Sequence, residues 1–242
     1  MKHMQTIYIN QSNMSYDRTE QINTLRSNIQ FAGNDKKVLL VTSCIQGEGK
    51  SSISLDLATS LAALGKNVLL IDADLRASVM VGKINGQKPK VGLSHVLSGQ
   101  NSIKEAVYAT NTSGLYVVLA GPVPPNPTEL ISATEFTGLI QSLRKIYDYI
   151  IVDSAPLGMV VDAAILAKNC DGSILVIESG VIKKKFAQKV KEHLVSTGCP
   201  LLGVVLTKMK SSASNRYYGR YYGKYYGKYE KKYQARVEKT KR

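Results

Sequence analysis

With 242 residues, 44% of them apolar, the chain can build a substantial core within one large domain. Its formal charge of +14 is uneven: residues 211–242 hold ten Lys or Arg against Glu230 and Glu238, a net of +8, which suits a tail that meets nucleic acid, an anionic membrane or an acidic protein patch. Cys44, Cys170 and Cys199 are odd in number and lack metal-ligand spacing, and the longest apolar runs fall far short of the ~20 residues of a membrane span. This excludes a disulfide-built secreted fold and a bilayer-crossing helix, and predicts a reduced intracellular chain whose polar start is no signal peptide.

In chain order, residues 17–31 are expected to form a helix that carries Glu20 and Arg26 and lies outside the repeating unit, as an interaction helix. Apolar, β-branched runs follow at 38–42, 68–71, 115–119, 149–152, 173–177 and 201–206, as in strands buried on both faces. Between the first two, Leu57, Ala58, Leu61 and Leu64 recur at helical spacing, and 184–196 predicts another helix. The segment GPVPPNPTEL, 121–130, is proline-rich and reads as a stiff surface loop. After residue 210 the sequence becomes YYGRYYGKYYGKYEKKY, a four-residue repeat without core-forming aliphatics, which predicts disorder. The expected fold is α/β, a doubly wound, mostly parallel sheet of the P-loop type. The expected division is an amino-terminal extension and interaction helix (1–36), a P-loop domain (37–210) and a basic tyrosine-rich tail (211–242).

Chemistry concentrates at the ends of these strands, where open α/β sheets bind ligands. VLLVTSCIQGEGKSS runs from strand through a glycine-rich loop into helix, so Gly47, Glu48, Gly49, Lys50, Ser51 and Ser52 form a candidate nucleotide-binding stretch. In such a loop backbone amides curl around phosphate oxygens, Lys50 reaches the β and γ phosphates, and Ser51 ligates magnesium. Cys44, inside the loop, reads as a small residue fitted to a tight turn. LLIDADLR, 69–76, brings Asp72, Asp74 and Arg76 to a strand's carboxyl end, a second acidic centre suited to metal binding and to accepting a proton, with Arg76 a candidate nucleotide contact. Asp72 and Asp74 point the same way only if the chain bends after Asp72. IIVDSAP, 150–156, ends another strand in Asp153, placed to orient magnesium and its waters. Thr207 and Lys208 end the last strand and are candidates to touch a nucleobase, with a solvated lysine nearly as good an account. Tyr217, Tyr218, Tyr221, Tyr222, Tyr225, Tyr226, Tyr229 and Tyr233 interleave with Gly, Lys and Arg, so core packing does not explain them. Composition leaves two uses open, stacking on single-stranded nucleic acid or accepting phosphate.

Taken together, GEGKS at 47–51, LLIDADLR, IIVDSAP, the PPNPTEL loop and the terminal tyrosines resemble the bacterial tyrosine kinases of capsular and exopolysaccharide synthesis, specifically their Gram-positive cytoplasmic subunit. The resemblance implies a fold like that of partition ATPases and transfer of the γ-phosphate of ATP, with Mg2+, to tail tyrosines of a neighbouring subunit. It gives Lys50 and Ser51 to phosphates and metal, Asp72 and Asp74 to the metal and the attacking phenol, and Asp153 to the metal's orientation; which acid is the base stays open. It further implies a membrane-bound activator, a tyrosine phosphatase, other protein tyrosine substrates, no specific nucleic acid, and a cytoplasmic location peripheral to the inner face of the membrane. A homo-oligomeric ring is implied less directly, because Glu20, Asn23 and Arg26 stand where the family often has Glu-x-x-Arg-x-x-Arg. The rival is a partition or division-site ATPase that binds DNA or membrane; such proteins usually have a lysine where this chain has Ile45.

Overall fold

The computed structural model describes residues 5–10, 15–33, 35–86 and 88–209. The six predicted strands are present, and three further short ones join them in one nine-stranded sheet. The elements run β1 (Thr6–Ile9), α1 (Tyr16–Phe31), β2 (Val38–Ser43), α2 (Lys50–Ala62), β3 (Val68–Asp72), a 3-10 turn (Met80–Lys83), β4 (Ile84–Asn85), α3 (Leu93–Leu97), α4 (Ile103–Ala106), β5 (Val107–Thr110) and β6 (Leu115–Val118). They continue with α5 (Pro127–Ser132), α6 (Thr134–Leu143), β7 (Tyr149–Asp153), α7 (Asp162–Ala167), β8 (Gly172–Glu178), α8 (Lys184–Ser196) and β9 (Leu201–Thr207).

The spatial order is β4-β1-β5-β6-β3-β7-β2-β8-β9. From β6 to β9 every neighbouring pair is parallel, whereas β5 runs antiparallel to β6 and β1 follows β5. Every residue of β2 and β3 is buried, because helices cover both faces. One apolar cluster packs Phe136, Ile140, Leu166 and Leu194, from α6, α7 and α8, on one face of the sheet. The other packs Ile22 and Ile29 of α1 and Leu57 and Leu61 of α2 on the opposite face. The amino-terminal segment is therefore built into the domain: β1 pairs with β4 and β5, and the Arg26 guanidinium on α1 donates to the Ser60 carbonyl of α2 at 3.1 Å.

Two local departures have plain causes. The strands β1, β4 and β5 have two to four residues, and β1 alternates exposed with buried positions, so they lack the long apolar run that marks the central strands. The expected stiff loop stops at Asn126, and Pro127 starts α5. A proline at the first helical position gives up no intrahelical bond and has its φ set for the helix. Among the described residues no helix is long and apolar enough to cross a membrane.

Candidate active site

Strand β2 delivers the chain into the loop 44–49, which turns through left-handed glycines, Gly47 at φ 85° and Gly49 at φ 93°, and enters α2 at Lys50. Gly49 caps α2 without a side-chain hydrogen bond, and no acidic residue lies in the helix's first turn. Glu48, completely buried, braces the loop from within. Its carboxylate accepts from the amides of Cys44 at 2.6 Å, Ile45 at 2.8 Å and Glu178 at 2.9 Å. Thr207 Oγ1 donates to the Glu48 carbonyl at 2.7 Å, and Lys208 Nζ to the Gly47 carbonyl at 3.0 Å and to Glu178 at 2.8 Å. The side chains of Glu48, Thr207 and Lys208 thus hold the backbone of the loop. Burial, with the nearby Glu48 charge, pushes the Cys44 thiol up to about 11, which keeps it a neutral packing group.

The acidic segment meets Lys50 at the carboxyl ends of β3 and β7. Asp72 and Asp153 are register partners on these two strands. After Asp72 the chain leaves the strand and bends, which lets Asp74 face the same site. Asp74 Oδ2 accepts from Lys50 Nζ at 2.9 Å, while its Oδ1 accepts from the amides of Arg76 at 3.3 Å and Ala77 at 3.0 Å. Asp72 accepts from the Ser78 hydroxyl, and Asp153 Oδ1 accepts from Ser54 Oγ at 3.1 Å. All four charged side chains are buried.

Three carboxylates around one ammonium leave a buried excess of negative charge. Burial and the charge of Asp153 push Asp72 up to about 7, against the help of Ser78 and Lys50. Burial also raises Asp153, opposed by Lys50 and by bonds from Ser51 and Ser54. Burial disfavours the Lys50 ammonium, but Asp153, Asp74 and Asp72 outweigh it and raise its pKa, so the lysine stays charged. Such a set fits a divalent cation accompanied by anionic phosphates. Among the described residues no three His, Cys, Asp or Glu side chains form a metal cage.

Arg76, the candidate nucleotide contact, has its guanidinium held by α7 and α5. Its Nε and Nη2 donate to the carboxylate of Asp162 at 2.6 and 3.0 Å, and Nη2 also donates to Thr128 Oγ1 at 2.6 Å. Lys50, Ser51, Asp72, Asp74 and Asp153 are brought together. Ser52 lies beside them, with its hydroxyl accepting from Lys83 at 3.1 Å. Ser54, Ser78, Thr128, Asp162 and Glu178 were missed. Of these only Ser54 had a local signal, four residues beyond Lys50 on one helix face. A groove of about 680 Å³ flanks the loop, lined by Arg18, Leu25, Gly49, Ser52, Thr207 and Lys208 and by none of Asp72, Asp74 and Asp153. The eight tail tyrosines lie outside the described residues.

Comparison with known proteins agrees with this geometry. Residues 36–187 match the AAA domain family. The chain is 45% identical over 195 residues to the tyrosine-protein kinase CpsD of Streptococcus agalactiae serotype III, covering 81% of this chain and 84% of the relative. Among solved structures, the chimerical protein CapA2B2 superposes with a TM-score of 0.78 at 31% identity, over 85% of this chain and 94% of that one. The kinase domain of the Escherichia coli tyrosine kinase ETK gives 0.75 at 27% identity, over 84% of each chain. With a buried lysine and carboxylates gathered at a P-loop, and this identity across most of its length, the chain belongs to the bacterial tyrosine-protein kinases of the CpsD and CapB type.

Proposed function

We propose that the chain transfers the γ-phosphate of ATP, with Mg2+, to tyrosines of the C-terminal cluster between subunits, and that this modification regulates capsular or exopolysaccharide synthesis and export. The observation that carries the proposal is the convergence of Lys50, Asp72, Asp74 and Asp153 at the mouth of the P-loop. Lys50 and Ser51, with the start of α2, would hold the phosphates, and Asp72, Asp74 and Asp153 would hold the magnesium and its waters. The metal supplies charge neutralisation on the transferring group. A phenol of ordinary pKa ~10 is protonated at neutral pH, and a buried carboxylate with a raised pKa is a suitable acceptor for its proton. The groove beside Gly49, Thr207 and Lys208 is the candidate side for the nucleobase.

Further parts of the proposal are a membrane-bound activator, supported by the likeness to the chimerical CapA2B2, and assembly of several copies. A tyrosine phosphatase and other protein substrates would complete the cycle at the inner face of the membrane. Incubating the full chain with Mg2+ and ATP and mapping phosphate by mass spectrometry tests the proposal. Phosphotyrosine within 217–233 is expected, and it should vanish in folded Lys50→Met, since loss of a charge aimed at the transferring group costs about a hundredfold or more in rate. Free phosphate without phosphotyrosine would favour the partition-type ATPase instead.

A further inference from the structure

Asp162 opens α7 and is 1% exposed. Its carboxylate takes the forked pair of bonds from Arg76 and a third, at 3.0 Å, from Thr128 Oγ1 in the first turn of α5. An ionised carboxylate at this depth is tolerated only when paired, so Asp162 fixes the guanidinium, and a two-pronged contact fixes its direction as well as its distance. The backbone amide of the same Arg76 donates to Asp74 Oδ1, while Asp74 Oδ2 accepts from Lys50. A continuous chain of contacts therefore runs from α7 through Asp162, Arg76 and Asp74 to the P-loop lysine.

We propose that Asp162 is a positioning residue for phosphoryl transfer, which acts through Arg76 to lock the bend at 73–78 and so aim Asp74 at Lys50. The inference rests on the phosphoryl-transfer function above and makes the arginine of the acidic segment a brace for the catalytic loop. Thr128 closes the fork from the proline-rich segment, so α5 and α7 both hold the bend. Misplacing a catalytic group by about an ångström typically costs a hundredfold, so the effect should fall on turnover and spare nucleotide affinity.

A double-mutant cycle in the full-length chain tests this. Arg76→Gln, Asp162→Asn and the pair are compared for tail phosphotyrosine formation, for phosphate release from ATP, and for ADP binding in the presence of Mg2+. Each single change should lower kcat about tenfold to a hundredfold while ADP Kd stays within about twofold, and the pair should be no worse than either alone. The proposal is overturned if Asp162→Asn turns over like wild type, or if Arg76→Gln weakens ADP binding manyfold, Asp162→Asn does not, and the effects multiply. If Asp162→Asn does not fold, Thr128→Val takes its place: a smaller loss of kcat with unchanged ADP Kd supports the brace, and unchanged kcat overturns it. Wild type releasing phosphate without making phosphotyrosine would count against the kinase function alone, and the cycle is then read on phosphate release.

Discussion

At the scale of single residues, the site is held away from its most stable arrangement. Asp72 is raised to about 7 from an ordinary 3.8, chiefly by burial and then by Asp153. In the nucleotide-free protein a raised carboxyl keeps a proton that the unfolded chain has already lost, so its contribution makes stability fall as pH rises from about 4 to about 7. Asp72→Asn removes that contribution. Its Tm should exceed that of wild type by an amount that grows between about pH 4 and pH 7, levels off above, and shrinks when Mg2+ and ADP are added, while phosphotyrosine formation is lost. A pH-independent difference in Tm would reject the assignment. The Glu48 carboxylate satisfies three backbone amides, those of Cys44 and Ile45 in the loop and that of Glu178 at the end of β8. Glu48→Gln turns an NH2 toward one of those donors and leaves it unpaired, at a cost of about 1–3 kcal/mol. Thermal unfolding should show that loss and titration with ADP a weaker Kd; an unchanged pair of values would remove the brace from the account.

Among the elements, β2, β3, β6, β7 and β8 were legible because burial on both faces writes a nearly unbroken apolar run into each, whereas β9, at the sheet's edge, carries such a run although Val204 and Leu206 are exposed. The candidate acids were legible because they stand where such runs stop. What holds the acids was not. Arg76 and Asp162 are 86 residues apart in sequence, and Glu48 and Glu178 are 130 apart, so no local spacing announces either contact. Helix α5 was hidden by the prolines before it and by Pro127, its first residue. The close approach of the loop after β7 to the P-loop was equally silent in sequence, yet it is testable. A Cβ on Gly158 would lie 2.1 Å from the Cys44 carbonyl oxygen, a backbone atom that cannot step aside cheaply. Gly158→Ala should therefore cost about 1–3 kcal/mol through overpacking and should also weaken nucleotide binding. Gly138→Ala in α6, where an added Cβ meets nothing within 4 Å, is the control and should be neutral or stabilising by up to about 1 kcal/mol. Equal Tm values for the two variants would contradict the packing described.

For the whole molecule, the domain supplies a braced loop and a buried acidic centre, and the acceptors of the proposed reaction lie in the basic segment beyond residue 210. About seven residues separate Met209 from Tyr217, a span of up to roughly 30 Å, so chain length alone permits transfer within one copy as well as between copies. Transfer between copies is the central claim. Its most direct test mixes full-length Lys50→Met, whose tail keeps all eight tyrosines, with an active full-length chain whose eight tail tyrosines are replaced by phenylalanine, in Mg2+ and ATP. Mass spectrometry should find phosphotyrosine on the tail of the Lys50→Met chain, which cannot modify itself. An unmodified Lys50→Met tail, under conditions where wild type phosphorylates its own cluster, would contradict the account.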